Sequence, residues 1–212
     1  MADRGIFIVF EGIDGSGKST HIKHLAEMLK ERGHVVLQTS EPSRYRVGDF
    51  IRRYSRRQEK RLPPETEALL FAADRFEHVK GVIEPALRRG RIVISDRYVH
   101  SSLAYQGAAG ADLDWIREMN RFSPRPDLAI LLDIQPEFSL LRVKRRRTVF
   151  EVSDYLRKVR DIYLQFVEEG ELVKLDADRS RAAIQEDVDA LVLGLLERRG
   201  MSREPDVEPD TP

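Results

Sequence analysis

The chain has 212 residues, of which 41% are hydrophobic, and this length and composition are typical of one domain with a core of its own. Lysine plus arginine and aspartate plus glutamate both number 36, so the formal net charge is zero, which argues against a protein that binds nucleic acid through a basic surface. The absence of cysteine excludes disulfide bonds and thiolate chemistry, so any metal ion would have to bind oxygen or histidine ligands.

The first apolar run, at residues 6–10, is too short for the hydrophobic core of a signal peptide, and no small-residue cleavage site follows it. The overall composition does not suggest a membrane-spanning segment either. We therefore expect a cytoplasmic location and no association with a membrane.

Short apolar runs of strand length alternate along the chain with longer segments that have helical periodicity. The predicted strands are residues 6–10, 34–38, 91–95, 128–133 and 172–175. The predicted helices are residues 18–32, 65–89 with a possible break near Gly81, 136–145, 150–168 and 181–198. This alternation predicts an α/β fold in which a doubly wound, parallel five-stranded sheet carries helices on both faces.

We expect one domain over residues 1–200, because no internal repeat and no linker-like segment divides it. Residues 201–212 are rich in proline and acidic side chains and contain almost nothing to bury. The pattern predicts a disordered C-terminal tail.

A glycine-rich segment follows the first predicted strand and opens the first predicted helix. Its residues are Gly12, Ile13, Asp14, Gly15, Ser16, Gly17, Lys18, Ser19 and Thr20. The first eight match the phosphate-binding loop, in which glycines let backbone N–H groups point at an anion and a helix N-terminus adds partial positive charge. Lys18 would reach the β- and γ-phosphates of a nucleotide, and Ser19 would offer its hydroxyl to Mg²⁺. The alternative is a turn that only joins a strand to a helix.

The tripeptide Asp96-Arg97-Tyr98 follows the third predicted strand. In an open α/β sheet this position lies at the carboxyl edge, where ligands bind. Asp96 would help to hold Mg²⁺ or orient an acceptor phosphate, and Arg97 would bind a phosphate with paired donors. Taken alone, the tripeptide could also be a salt-bridged strand end.

Three segments together resemble the thymidylate kinases in order and spacing. They are EGIDGSGKST at residues 11–20, FAADR at residues 71–75, and Asp96-Arg97-Tyr98 followed by SSLAYQG at residues 101–107. The third is the most specific, because other nucleoside monophosphate kinases share the phosphate-binding loop but do not usually carry it. The resemblance spans residues 5–198 and implies a kinase of the P-loop nucleoside monophosphate type. It would transfer the γ-phosphoryl group of ATP, bound with Mg²⁺, to dTMP for dTTP biosynthesis, and it would form a homodimer.

The resemblance also implies an acceptor site. Phe71 resembles the aromatic residue that stacks on thymine, and Arg75, one helical turn further, resembles the donor to a thymine carbonyl. Without the resemblance, a core position would be favoured for Phe71. Arg97 resembles the residue that binds the acceptor phosphate, and Tyr105 the bulky residue set against the sugar 2′ position. The remaining implied contacts are Asp14, near the sugar 3′-hydroxyl and the magnesium, and Ser102 and Gln106, near the base.

The segment after the second predicted strand departs from the family pattern. Many thymidylate kinases have an arginine directly before a Glu-Pro dipeptide, whereas here Ser40 precedes Glu41 and Pro42. We predict that Arg44 supplies the missing charge to the acceptor phosphate. The competing candidates are Arg46, Arg52 and Arg53. The basic run at residues 52–57 is otherwise interpreted as a solvated helix face.

The variable positions of the phosphate-binding loop, residues 13–16, include no basic side chain. In this family a catalytic arginine lies either in that loop or in a lid, so we predict that a short lid at residues 142–150 provides it. One of Arg145, Arg146 and Arg147 would reach the charge that develops on the transferred phosphoryl group. Arg142 more closely resembles the residue that flanks the adenine. The alternative for any single arginine is a flexible basic loop with no catalytic role.

Other functions stay open at this point. A kinase of another nucleoside monophosphate fits the same motifs, whereas a deoxynucleoside kinase would need a base for the 5′-hydroxyl and would leave Arg97 without an acceptor phosphate. A GTPase-type switch would need an Asn-Lys-x-Asp run, which does not occur. A sensor that binds both nucleotides without turnover would not need the complete set of Lys18, Ser19, Asp96 and Arg97.

Overall fold

The computed structural model describes residues 4–56, 61–142 and 149–201. They form one sheet of five parallel strands in the order β2-β3-β1-β4-β5. The strands are β1 (Phe7–Glu11), β2 (Val36–Ser40), β3 (Ile92–Asp96), β4 (Leu128–Asp133) and β5 (Val173–Asp176). The predicted α/β fold with a parallel five-stranded sheet is confirmed.

Helices connect the strands and follow the last one. They are α1 (Lys18–Glu31), α2 (Arg46–Arg56), α3 (Pro64–His78), α4 (Glu84–Arg88), α5 (Val99–Ala108), α6 (Leu113–Met119), α7 (Pro136–Arg142), α8 (Val149–Glu168) and α9 (Arg181–Arg198). A π-helical turn (Val79–Ile83) joins α3 to α4. None of the helices in the described ranges is long and apolar enough to cross a membrane.

The strand order explains how helices come to cover both faces. The chain moves from β1 to one edge at β2, and every later connection moves in the opposite direction. Because connections between parallel strands are right-handed, this reversal puts α1 on one face and the later crossovers on the other. Accordingly, α1 packs against α9, and α5 packs against α8.

The core lies on both sides of the central strands. All five residues of β1 are buried, and β4 is buried from Ala129 to Asp133. Each fully buried large apolar side chain contributes about 1.5–3 kcal/mol relative to an exposed one, so the continuous apolar runs fix these strands at the centre. The carboxyl ends of β1 and β3 therefore lie side by side in a rigid part of the molecule.

Each predicted strand overlaps a strand of the structure, and the predicted helices also overlap observed ones. The long predicted helix at residues 65–89 is divided into α3, the π-helical turn and α4, and the turn contains Gly81, near the predicted break. A Cβ on Gly81 would lie 2.0 Å from the Tyr45 hydroxyl, so the missing side chain lets Tyr45 approach the turn.

The sequence patterns did not predict α5 and α6. α5 packs against α3, α6 and α8, so apolar and polar positions do not alternate with a clear helical period. α6 has a local signal that could have been recognised, because the Asp112 carboxylate caps it by accepting from the Trp115 N–H at 2.7 Å.

Glu171 ties the segment before β5 to two helices. Its carboxylate accepts from His100 Nε2 at 2.9 Å and from Arg117 Nη1 at 2.8 Å. The hydrogen bond from His100, assisted by Arg117, lowers the pKa of Glu171 to about 2. A carboxylate whose pKa is lower in the folded than in the unfolded state adds stability above its ordinary pKa of 4.5, and this stability is lost as the pH falls through about 2.

We therefore expect Glu171→Gln to lower the free energy of unfolding by about 1 kcal/mol at neutral pH, the range of a partly exposed ion pair. The difference from the native protein should shrink as the pH falls from 4.5 towards 2. Urea denaturation across this pH range measures this difference in the free energy of unfolding. Glu169→Gln is the matched control, since Glu169 contacts Arg117 without contacting His100. An equal loss of stability at all pH values would contradict the linkage.

Candidate active site

The loop between β1 and α1 has the backbone conformation of an anion-binding site. Gly12, Gly15 and Gly17 have φ angles of 133°, 85° and 99°, in the left-handed region that side chains rarely adopt. A Cβ on Gly12 would lie 2.6 Å from the carbonyl oxygen of Leu132, so the close approach of β4 requires glycine there. α1 begins at Lys18, directly after the loop, and its positive N-terminal end adds to the loop N–H groups.

Lys18 is held across this loop. Its Nζ donates to the carbonyl oxygens of Gly12 at 2.9 Å and Ile13 at 3.1 Å, and the residue is only 6% exposed. Burial, together with the nearby charge of Arg97, lowers the pKa of Lys18 to about 8. A phosphate bound in the loop would favour the charged form of the Lys18 side chain. The ammonium is therefore suited to bind an anionic ligand rather than another group of the protein.

Ser19 and Asp96 bring two oxygen ligands together beside the loop. The Ser19 hydroxyl donates to Asp96 Oδ2 at 3.0 Å, across the gap between α1 and the end of β3. The described residues contain no group of three or more histidine, cysteine or acidic side chains that could form a protein-only metal site. A hydroxyl and one carboxylate fit Mg²⁺, which binds through few protein ligands and completes its shell with phosphate oxygens and water.

Arg97 connects the loop to the neighbouring cavity. Its Nη2 donates to Asp14 Oδ1 at 2.8 Å and to the Tyr105 hydroxyl at 3.2 Å, and its Nη1 donates to Ser101 Oγ at 3.0 Å. Its backbone φ is 72°, and its N–H donates to the Phe10 carbonyl at 2.9 Å, which holds this strained conformation in place. The guanidinium is therefore rigidly oriented at the edge of the sheet.

A cavity of about 350 Å³ lies next to Arg97, bounded by α3 and α5. Seven of the residues predicted for the acceptor site line it: Asp14, Phe71, Arg75, Arg97, Ser102, Tyr105 and Gln106. Phe71 is half-buried and lines this space, whereas a core position would be favoured for it without the family resemblance. The structure thus brings residues from three separate chain segments to one place. We call this space the acceptor cavity.

Arg75 is fixed more firmly than its predicted role requires. Its Nε donates to Glu41 at 2.8 Å, its Nη1 to Asn120 at 2.5 Å, and its Nη2 to the Tyr98 carbonyl at 3.1 Å and Ser102 at 2.9 Å. These bonds use four of the five N–H groups of the guanidinium. At most one N–H is left for a bound base, and its direction is set by the protein.

A family model described as thymidylate kinase matches residues 10–188. The chain belongs to the thymidylate kinase family. It is 49% identical over 197 residues to a probable thymidylate kinase of Pyrococcus horikoshii, with 89% of this chain and 96% of the relative covered. Similar relatives are the probable thymidylate kinases of Pyrococcus abyssi, 48% identical over 197 residues (89% and 96% covered), and of Archaeoglobus fulgidus, 42% identical over 194 residues (90% and 96% covered).

A second cavity of this thymidylate kinase family member, of about 630 Å³, surrounds the phosphate-binding loop. Lys18, Ser19 and Arg142 line it, and so do Arg179 and Arg181, which no motif of the sequence indicates. Arg142 donates to the Ala177 carbonyl at 3.3 Å and lies 3.6 Å from Asp178. The predicted catalytic arginines of the lid, Arg145, Arg146 and Arg147, lie outside the described residues, as do residues 202–212 of the predicted tail.

Arg44 does not line the acceptor cavity. It is exposed in a third cavity, of about 620 Å³, that also includes Ser19 and Asp96. Among its competitors, Arg52 donates to the Pro42 carbonyl at 3.0 Å, and Arg53 pairs with Asp49 on its own helix. Among the described residues that line the acceptor cavity, none is one of the four arginines considered for this role. The phosphate contact of Arg44 therefore stays a prediction.

Two carboxylates that no single motif predicts, Glu11 and Glu41, organise this thymidylate kinase site. Glu11, fully buried at the end of β1, accepts from Tyr98 N at 2.9 Å, Ser101 Oγ at 2.6 Å and the Tyr163 hydroxyl at 2.9 Å. Glu41 accepts from Arg75 at 2.8 Å and contacts His78 at 3.1 Å. The contacts of both carboxylates are long-range, because their partners are 34 to 152 positions away in the sequence.

Proposed function

We propose that this chain transfers the γ-phosphoryl group of ATP to dTMP, giving dTDP and ADP, with dTMP in the acceptor cavity and ATP over the phosphate-binding loop. The observation that supports this most strongly is the shared position of Arg97. It contacts Asp14 of the loop on one side and lines the acceptor cavity on the other. A phosphate bound to Arg97 would therefore lie next to a nucleotide bound by the loop.

The reaction would need positioning and charge neutralisation rather than a strong base. The acceptor phosphate of dTMP is already an anionic nucleophile, so no proton has to be removed before transfer. Arg97 would orient that phosphate, and Lys18 would neutralise the charge that develops between the β- and γ-phosphates. Ser19 and Asp96 would hold Mg²⁺, which supplies further neutralisation of phosphate charge.

The base and the sugar would be recognised by separate walls of the cavity. Phe71 would stack on thymine, and the remaining N–H of Arg75 would donate to one carbonyl of the ring. Tyr105 would lie against the sugar, where its ring leaves no space for a 2′-hydroxyl. A homodimer and a cytoplasmic location, both expected from the sequence, stay predictions.

The acceptor range tests this proposal. kcat/KM measured for dTMP, dUMP, UMP, dCMP, AMP and GMP should be highest for dTMP and about 10- to 200-fold lower for dUMP, which lacks one methyl group. Purine monophosphates should be far poorer acceptors still, because the ring is larger and Arg75 would face the wrong edge. A preference for AMP, GMP or dCMP would overturn the choice of substrate.

Two variants of Tyr105 separate its ring from its hydroxyl. Tyr105→Ala should narrow the difference in kcat/KM between dUMP and UMP, since it opens space beside the 2′ position. Tyr105→Phe is the matched control, because it keeps the ring and removes only the hydrogen bond that the hydroxyl accepts from Arg97. An unchanged ratio of dUMP to UMP in Tyr105→Ala would remove Tyr105 from the specificity residues.

A further inference from the structure

Four side chains of the acceptor cavity have no role in the function described so far. Tyr54 comes from α2, Arg61 from the segment before α3, Glu67 from α3 and Tyr155 from α8, and all four line the cavity. They belong to no recognised motif of the sequence. Their contacts with one another form a continuous connection across one side of the cavity.

Glu67 is the anchor of this connection. The residue is 4% exposed, and a carboxylate so deeply buried needs charged or hydrogen-bonding partners. Arg61 supplies a two-pronged contact, from Nε to Oε1 at 3.1 Å and from Nη2 to Oε2 at 2.5 Å. The Tyr54 hydroxyl donates to Oε1 at 3.0 Å. Arg61 is thereby held in one orientation, since a paired contact fixes the plane of its guanidinium.

Tyr155 continues the connection to the opposite wall. The guanidinium carbon of Arg61 lies 5.3 Å from the centre of the Tyr155 ring, which is within the range of a cation–π contact. The Tyr155 hydroxyl donates to the backbone carbonyl of Tyr105 at 2.6 Å. The chain of contacts therefore runs from α3, through Arg61, to α8 and on to α5.

The spacing on α3 places this connection beside the base. Glu67, Phe71 and Arg75 follow one another at intervals of four residues and lie on one face of the helix. A ring stacked on Phe71 would have Arg75 beyond one edge and the Arg61–Glu67 pair beyond the other. Because Glu67 neutralises the charge of Arg61, the guanidinium is suited to form a wall beside the base rather than to attract the acceptor phosphate.

We propose that Arg61, oriented by Glu67 and stacked on Tyr155, is a specificity-determining residue that closes the acceptor cavity beside the base and restricts it to a single pyrimidine ring. This inference rests on the proposed function, because it takes the cavity to be the dTMP site. It adds a determinant of base size that is independent of the hydrogen bond from Arg75. The side chain acts by shape, with its charge already paired.

Arg61→Ala tests the proposal. It should raise KM for dTMP about tenfold, with kcat within about twofold of native, because it removes a wall of the binding site without touching the transferred phosphate. The ratio of kcat/KM for dTMP to that for dGMP should fall by about tenfold or more, since the opened side admits a larger base. Arg121→Ala is the matched control, as Arg121 is an exposed arginine whose contact is with Glu118 on α6.

Glu67→Gln gives a second, independent measurement. Glu67→Gln leaves Arg61 in place but replaces its charged partner. The ratio of kcat/KM for dTMP to that for dGMP should therefore also fall, but by less than in Arg61→Ala. The double variant should lose little more than Arg61→Ala alone, because the two residues act as one unit. Arg61→Lys, which keeps the charge and loses the two-pronged contact, should resemble Arg61→Ala in selectivity and covers the case in which the alanine variant fails to fold.

The outcomes separate this proposal from the proposed function. A native protein that does not phosphorylate dTMP would overturn the function itself. A native protein active on dTMP, with an unchanged dTMP to dGMP ratio in folded Arg61→Ala, would overturn only the role of Arg61. A fall in kcat with unchanged KM would also overturn it, because Arg61 would then act on phosphoryl transfer.

Discussion

Lys18→Met is expected to lower kcat by roughly a thousandfold or more. A fall of this size is expected when an enzyme loses a cation that neutralises transition-state charge in phosphoryl transfer. The ammonium lies over the loop, held by the carbonyl oxygens of Gly12 and Ile13, and methionine fills nearly the same volume without the charge. The fold should persist. Burial lowers the pKa of Lys18 to about 8, so the ammonium charge is less favourable in the folded than in the unfolded chain, and its removal should maintain or raise the melting temperature.

Single-turnover and steady-state kinetics with saturating ATP and dTMP measure the effect, and thermal denaturation checks the fold. Lys30→Met is the matched control, since Lys30 is an exposed lysine in the last turn of the same helix. Its activity should equal that of the native protein. A folded Lys18→Met variant with kcat within tenfold of native would refute the assignment of the phosphate-binding loop.

Replacing Arg145, Arg146 and Arg147 together with alanine is expected to lower kcat by about a thousandfold, the lower range for the loss of an arginine that contacts the transferred phosphoryl group. Affinity for dTMP should change little, because this charge acts in the transition state. The reason lies in the loop itself, where residues 13–16 provide no cation. kcat from steady-state assays and the dissociation constant for dTMP from calorimetry test both halves of the expectation.

The second cavity, which surrounds the phosphate-binding loop, contains other arginines that could provide the same charge. Arg142 is engaged by the Ala177 carbonyl and Asp178, and Arg179 is paired with Asp187, whereas Arg181 is exposed at the start of α9. Arg181→Ala is therefore the informative comparison. If the triple lid variant keeps its kcat and Arg181→Ala loses it, the catalytic charge comes from α9 and the prediction for the lid is wrong.

The amino-acid sequence by itself determined the sheet and the phosphate-binding loop. β1 and β4 are continuous apolar runs, and such runs are recognisable because both faces of a central parallel strand are covered by helices. The loop was equally predictable, since its glycines, its lysine and its position between a strand and a helix are all local features. The pair Phe71 and Arg75 was placed on one helix face by its spacing alone.

Only the tertiary structure decided how the acceptor cavity is built. The side chains that fix Arg75 belong to Glu41, Asn120 and Ser102, which come from three other parts of the chain. The contact of Tyr155 with Tyr105 likewise joins two helices that are distant in sequence. Such contacts depend on how helices cross over the sheet, and no period or spacing within a single segment encodes them. Local patterns therefore determine the elements and the loop, whereas the order of the strands determines which side chains meet above their carboxyl ends.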